Sequence, residues 1–360
     1  MEKLVTDTGQ FWRGRRVFLT GHTGFKGAWL TVLLARFGAE VHGYALAPAE
    51  GSIYEKANVG RLLATSTIAD IRDLEKMRTA IDACRPEIVL HLAAQPLVRL
   101  SYEIPVETFA VNVLGTVHVL DILRGREDVK AAVIVTSDKC YENREWVWGY
   151  REDEPMGGYD PYSSSKGCTE LVTSAYRRSF FQIRGAQIGS GRAGNVIGGG
   201  DVSQDRLIPD IIRTFRAGEP VLIRAPGAIR PWQHVLEPLS GYLALAEALG
   251  SEGGAWAADG WNFGPPSEAE RTVSDVVETV VRVWGGTASW QQEISKQVHE
   301  AGYLKLDSSK ARRLLGWQPR WDFERAIEET IAWYRAEDRG EDMLAFTQAQ
   351  IDAYFNSPSL

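Results

Sequence analysis

The residues Arg15-Arg16-Val17-Phe18-Leu19-Thr20-Gly21-His22-Thr23-Gly24-Phe25-Lys26-Gly27 decide the fold. Their apolar start reads as a short buried strand. Gly21, Gly24 and Gly27 then stand at Gly-x-x-Gly-x-x-Gly spacing, with Thr23 and Phe25 between them. Beyond the turn, Trp29, Leu30, Leu33, Leu34 and Phe37 recur as on the buried face of a helix. Strand, glycine turn and helix in that order are the context a dinucleotide-binding fingerprint requires. Glycines let the backbone approach a pyrophosphate, and the helix N-terminus supplies amide donors and the positive end of a dipole. His22 and Lys26 either add basic groups near the phosphates or face solvent.

Working outward, apolar runs at Glu40–Leu46, Glu87–Ala93 and Ala131–Val135 read as further buried strands of a parallel sheet, and Thr67–Asp73 as a third strand with its following turn. Helical patterns separate them. The expected architecture is α/β: a Rossmann-type, doubly wound parallel sheet with a smaller, mostly C-terminal α/β substrate-binding region. The nucleotide-binding part spans 1–190 with a return segment near 228–262; the substrate region spans 191–227 and 263–345, and 346–360 is a tail. The second strand ends in Ala45-Leu46-Ala47-Pro48 without the ribose-binding acid. No arginine stands at that strand tip to meet a 2′-phosphate, which favours NAD over NADP. Asp73 reads as an N-cap, and Asn112 as a structural polar contact inside a helix from Pro105 to Leu123. Residues 198–200, a glycine run, read as a flexible crossing between the two regions.

A second centre follows the Ala131–Val135 strand. Thr136-Ser137-Asp138-Lys139 lies at its carboxyl end, where open α/β sheets place ligands. Asp160-Pro161 starts a helix that puts Tyr162 and Lys166 four residues apart on one face. A phenol has a free pKa of about 10; a nearby ammonium lowers it enough for the phenolate to act as a base. A hydroxyl such as Ser137 orients a substrate alcohol against it. Arg99 and Ser101 are placed to reach a sugar, and Arg230 suits a phosphate through its planar fork of donors. Trp232 is equally at home in the core. The Tyr141–Tyr150 stretch is either a loop over the active site or a surface loop with aromatic staples.

The chain has 360 residues, 44% of them hydrophobic, and a net charge of −7. Such a balance argues against a nucleic-acid partner. Cys84, Cys140 and Cys168 are odd in number and lack metal-ligand spacing, so no metal is expected and a reducing compartment is. The opening residues carry no signal-peptide core, and no apolar run is expected to span a membrane. The expected location is the cytoplasm.

These motifs together resemble the extended short-chain dehydrogenase/reductase superfamily and, within it, the nucleotide-sugar 4,6-dehydratases. The resemblance rests on Gly21–Gly27, His91–Gln95, Thr136–Trp146, Tyr162 with Lys166, Arg192–Ile197 and Arg230–Val235, and it runs from about Phe11 to Trp333. It implies NAD contacts from the glycine loop, from Asp70 and Ile71 at the adenine, and from Leu92, Ala93, Ala94, Tyr162 and Lys166. Substrate contacts are implied for Gln95, Ser137, Arg192, Asn195, Leu207, Arg230 and His234. The implied substrate is CDP-D-glucose, handled by a homodimer or homotetramer in deoxysugar biosynthesis for lipopolysaccharide O-antigen. Elimination across C5 and C6 of the sugar needs an acid and a base, for which Asp138 and Lys139 are placed. Lys139 is either the C5 base or a cation that stabilises the enolate. A 4-epimerase needs the Tyr-Lys pair without those two groups, and a non-catalytic dinucleotide sensor needs neither.

Overall fold

Buried apolar strands alternate with helices from the first element onward. The computed structural model describes residues 9–182, 185–266, 271–293 and 302–360, so the charged residues 1–8 lie outside it. The first strand, β1 (Arg16–Thr20), leads through the glycine turn into α1 (Phe25–Arg36), and β2 (Glu40–Ala45) and β3 (Thr65–Ile68) follow. Next come α2 (Leu74–Cys84), β4 (Ile88–His91), α3 (Pro105–Arg124), β5 (Ala131–Val135), α4 (Pro161–Tyr176) and β6 (Gln187–Ala193). The later elements are α5 (Leu207–Arg216), β7 (Val221–Ile223), α6 (Leu236–Gly250), β8 (Gly260–Phe263), α7 (Val273–Trp284), β9 (Trp290–Gln292), α8 (Phe323–Asp338) and α9 (Met343–Asn356).

The central sheet has seven strands in the order β8-β6-β5-β4-β1-β2-β3, every neighbouring pair parallel. Strand order reverses between β1 and β4, which opens a crevice at the carboxyl edge of the sheet. One core packs α1 and α6 against the sheet through Trp29, Leu33, Leu239 and Leu243; the other packs α2 and α3 through Met77, Ile81, Val119 and Leu123. Asp73 caps α2 by accepting the Lys76 amide at 3.0 Å.

Three expectations change here. Residues 346–360 are not a free tail: most of them form α9, whose buried Ile351 and Tyr354 dock it on the first core. The 198–200 run is packed rather than flexible, because a Cβ on Gly199 would stand 2.0 Å from the Trp333 ring and one on Gly200 2.5 Å from Ile53. Finally, α3 is 20 residues long with a hydropathy of 1.4, apolar and long enough by composition to cross a membrane. Its apolar side covers the sheet, since Val119, Leu120, Ile122 and Leu123 belong to the second core.

Candidate active site

The glycine turn closes on itself. The Gly24 amide donates to the Gly21 carbonyl at 3.0 Å, and Ala28 to Gly24 at 2.8 Å. Gly21 has φ of +78°, and a Cβ there would stand 2.8 Å from the Ala93 nitrogen. On Gly27, a Cβ would meet the Gly21 oxygen at 2.0 Å. No side chain caps the N-terminus of α1, so its first amides face a cavity of about 700 Å³ lined by Gly21, Thr23, Gly24, Phe25, Lys26 and Gly27. An uncapped helix start on a glycine cradle fits the diphosphate of a dinucleotide.

The same cavity continues past Asp70, Ile71, Leu92, Ala93 and Ala94 on one side, and past Ser137, Asp138, Lys139, Tyr162 and Lys166 on the other. It then reaches Arg99, Asn195, Leu207 and Arg230. The sequence thus brings these segments to one wall system from strand ends β1, β4, β5 and β6. Arg72 also lines it and carried no sequence signal; its guanidinium is tied to Asp70 at 2.6 Å and faces Glu107 at 3.4 Å. A cation so neutralised has little left for a 2′-phosphate.

Tyr162 is buried, with 8% of its surface exposed. Ser101 Oγ accepts its backbone N–H at 3.1 Å, which makes Ser101 a helix-start partner rather than a sugar contact. Asp160 caps the helix through the Ser163 amide at 2.9 Å. Burial pushes the Tyr162 phenol up to about 12, and a hydrogen bond from Ser137 works the other way. This is opposite to the lowering expected from the Tyr-Lys spacing, because desolvation of the buried phenol outweighs the groups that favour the phenolate; the Lys166 ammonium donates to the Val135 carbonyl at 3.4 Å. Burial takes Lys166 down to about 8, with Glu170 opposing the drop.

Asp138 is 2% exposed. Ser137 Oγ donates to its Oδ1 at 3.0 Å, while Oδ2 is buried and has no hydrogen-bond partner among the described residues. Burial raises its pKa against the pull of Lys139, Ser137, Arg230 and Lys26. Lys26 is itself held down to about 7 by burial and by the charges of Arg206 and Lys166. It therefore belongs to the cavity wall and not to the solvent face left open by the sequence.

Four side chains expected at the site point elsewhere. Arg192 is paired with Glu170 at 2.8 Å behind β6. Gln95 gives its amide to Thr108 Oγ1 at 2.9 Å and to the Leu97 carbonyl at 3.1 Å, and Asn112 holds its backbone. His234 is wholly buried between Trp29 and Trp321, and desolvation lowers it to about 3. His22 is buried against Gly43, bonded to Ser66 Oγ at 2.8 Å, and desolvation lowers it to about 4. Each faces a packed interior, so none offers a charge to a ligand. The Tyr141–Tyr150 loop is the stapled alternative: Trp146 and Tyr141 both stack on Tyr150 at 5.1 Å, and Tyr150 exchanges backbone bonds with Lys305 and Asp307. Cys140 is buried, and desolvation raises its thiol well above the usual range.

Comparison with known proteins decides the family. Residues 18–330 match the family model described as GDP-mannose 4,6 dehydratase. The chain belongs to that family. A CDP-glucose 4,6-dehydratase of Salmonella typhimurium is 55% identical over 353 residues, covering 96% of this chain and 98% of the relative. A dTDP-glucose 4,6-dehydratase of Actinoplanes is 30% identical, over 70% of this chain and 74% of its own. Among solved structures, the dTDP-glucose 4,6-dehydratase of Bacillus anthracis in complex with NAD has a TM-score of 0.76 at 19% identity, covering 92% of this chain and all of its own. The UDP-glucose 4-epimerase of Thermotoga maritima has a TM-score of 0.76 at 22% identity, over 89% and 99%. Both share the doubly wound fold described above.

Proposed function

We propose that this dehydratase-family chain is an NAD-dependent lyase that converts CDP-D-glucose to CDP-4-keto-6-deoxy-D-glucose and water. The observation that carries the reading is that Tyr162, the buried Asp138 and the half-buried Lys139 line one cavity with the glycine loop. The 55% identity to a CDP-glucose 4,6-dehydratase over nearly the whole chain supports the nucleotide. Gly21 to Gly27 hold the diphosphate of NAD, Asp70 and Ile71 border its adenine, and Leu92 to Ala94 leave room for its ribose. Bound NAD supplies a hydride acceptor beside C4 of the sugar and a hydride donor for C6.

Tyr162 takes the proton of the C4 hydroxyl, which Ser137 orients. The Lys166 ammonium, one helical turn along α4, joins the Ser137 hydrogen bond in favouring the phenolate against the burial that raises the phenol. Oxidation at C4 acidifies the C5 hydrogen. Asp138, whose hold on its proton is strengthened by burial, gives that proton to the leaving C6 oxygen. Lys139 faces C5. Asn195 and Arg230 bind the substrate diphosphate, with Arg99 and Leu207 along its path. Residues 1–190 with the return near 228–262 serve the dinucleotide, and 191–227 with 263–345 serve the nucleotide sugar.

Two further features belong to the proposal. A homodimer or homotetramer forms through α3 and α4, which expose Val106, Leu114 and Leu171. A cytoplasmic location is supported by three free cysteines, and a place in deoxysugar biosynthesis by the CDP-glucose 4,6-dehydratase relative; O-antigen is the destination proposed for that sugar. Incubation with NAD and CDP-, dTDP-, GDP- or UDP-glucose tests the reading. The expected result is a product lighter by one water from CDP-glucose in preference to the others. Formation of a 4-epimer of unchanged mass would reject it.

A further inference from the structure

We propose that Glu170 is a positioning residue that keeps the Lys166 ammonium charged and fastens the catalytic helix to the Ser137–Lys139 turn; this rests on the catalytic reading of Tyr162 and Lys166 above. Glu170 lies one turn beyond Lys166 on α4, on the same face, and is 5% exposed. Its carboxylate joins three elements. Thr136 Oγ1, the residue before Ser137, donates to Oε1; Ser190 Oγ of β6 donates to Oε2 at 2.7 Å; Arg192 Nη2 donates to Oε2 at 2.8 Å. Arg192 is fixed in turn, donating to the Tyr141 hydroxyl at 2.7 Å and to the Glu152 carbonyl at 2.9 Å. The Tyr141 hydroxyl donates onward to Asn262 at 2.7 Å.

An ion pair buried this deeply adds little net stability over apolar groups of the same volume. What it does provide is a fixed negative charge one helical turn from an ammonium that donates to the Val135 carbonyl at 3.4 Å. The groups facing Lys166 are Tyr162 and Glu170 on its own helix, Cys140 after β5, His91 on β4 and Lys26 on α1. Burial holds the Cys140 thiol and the His91 imidazole neutral. Burial also opposes ionisation of Glu170, but Arg192 and the bonds from Thr136 and Ser190 keep it below the usual carboxylate range. Glu170 is therefore the anion of that set.

The test is the titration of Lys166 followed by its ¹³Cε resonance in lysine-labelled protein, assigned by its loss in Lys166→Arg. Glu170→Gln keeps size and an acceptor oxygen but removes the charge. Its Lys166 midpoint should fall by about one pH unit, the scale of a lost opposite charge, and the alkaline limb of turnover should fall with it at nearly unchanged KM. Glu170→Asp should restore both. If Glu170→Gln alone does not fold, the double variant Glu170→Gln/Arg192→Met removes the orphaned arginine and should carry a smaller shift in the same direction. A Lys166 midpoint at its wild-type value in the folded variant overturns the proposal. That readout needs no turnover, so its failure is separate from failure of the dehydratase reading, which the wild-type product assay decides.

Discussion

A Cβ placed on Gly194 would stand 3.0 Å from Oδ2 of Asp138, so the glycine after β6 leaves this carboxyl oxygen its room. That oxygen is buried and has no hydrogen-bond partner among the described residues, the state of an acid waiting for a leaving group. Asp138→Asn should slow elimination by about two to four orders of magnitude, the scale of a general acid, and leave the first oxidation nearly intact. Single-turnover absorbance should show NADH rising before product appears. Loss of the first hydride transfer alone in Asp138→Asn would remove it from the acid role.

Tyr162→Phe removes the proton acceptor of the first step. Turnover should fall by about two to four orders of magnitude with no NADH transient, because nothing is oxidised. Near-normal turnover would contradict the role.

Lys139 has two candidate roles that charge separates. Lys139→Arg keeps the cation and gives up the base, since a guanidinium stays protonated. If Lys139 stabilises the enolate, Arg should retain activity within about tenfold, whereas Lys139→Met should lose two orders of magnitude or more. Equal loss in both variants assigns it the C5 proton.

Acid stability follows from the buried imidazoles. Desolvation lowers His91 and His234 from 6.5 to about 3 and His22 to about 4. Between those values the unfolded chain binds protons that the folded chain does not, so stability is fully present above about pH 6.5 and falls as pH drops toward 3. Glu237 works against this: burial raises it to about 7, so folding gains as pH falls from 7 toward its ordinary 4.5. Three histidines outweigh one carboxyl. Thermal midpoints should therefore fall from pH 6.5 to 5, and His234→Phe should flatten that slope. An unchanged slope in a folded His234→Phe would refute the assignment.

Local features were legible in the sequence because they depend on spacing along one element. The glycine turn, the Asp160-Pro161 helix start and the Tyr162–Lys166 interval are of this kind. Side-chain direction was not. Ser190 and Arg192 stand two apart on β6 and so share a face, which is the face Glu170 occupies; the family resemblance implied a substrate contact for Arg192. His234 is set by Trp29 and Trp321, far away in the chain. Tyr162 shows the third limit: spacing promises an ammonium beside the phenol, but the depth of burial, which decides the pKa, is a property of the whole fold.

The central claim is that one active site oxidises C4, removes water across C5 and C6, and reduces C6. CDP-D-glucose carrying deuterium at C4, incubated with the protein and NAD in ordinary water, tests it most directly. The expected product is lighter by one water, holds the deuterium at C6, takes solvent hydrogen at C5, and forms without steady accumulation of NADH. Deuterium recovered at C4 of a 4-epimer, or released in free NADH, would contradict the dehydratase.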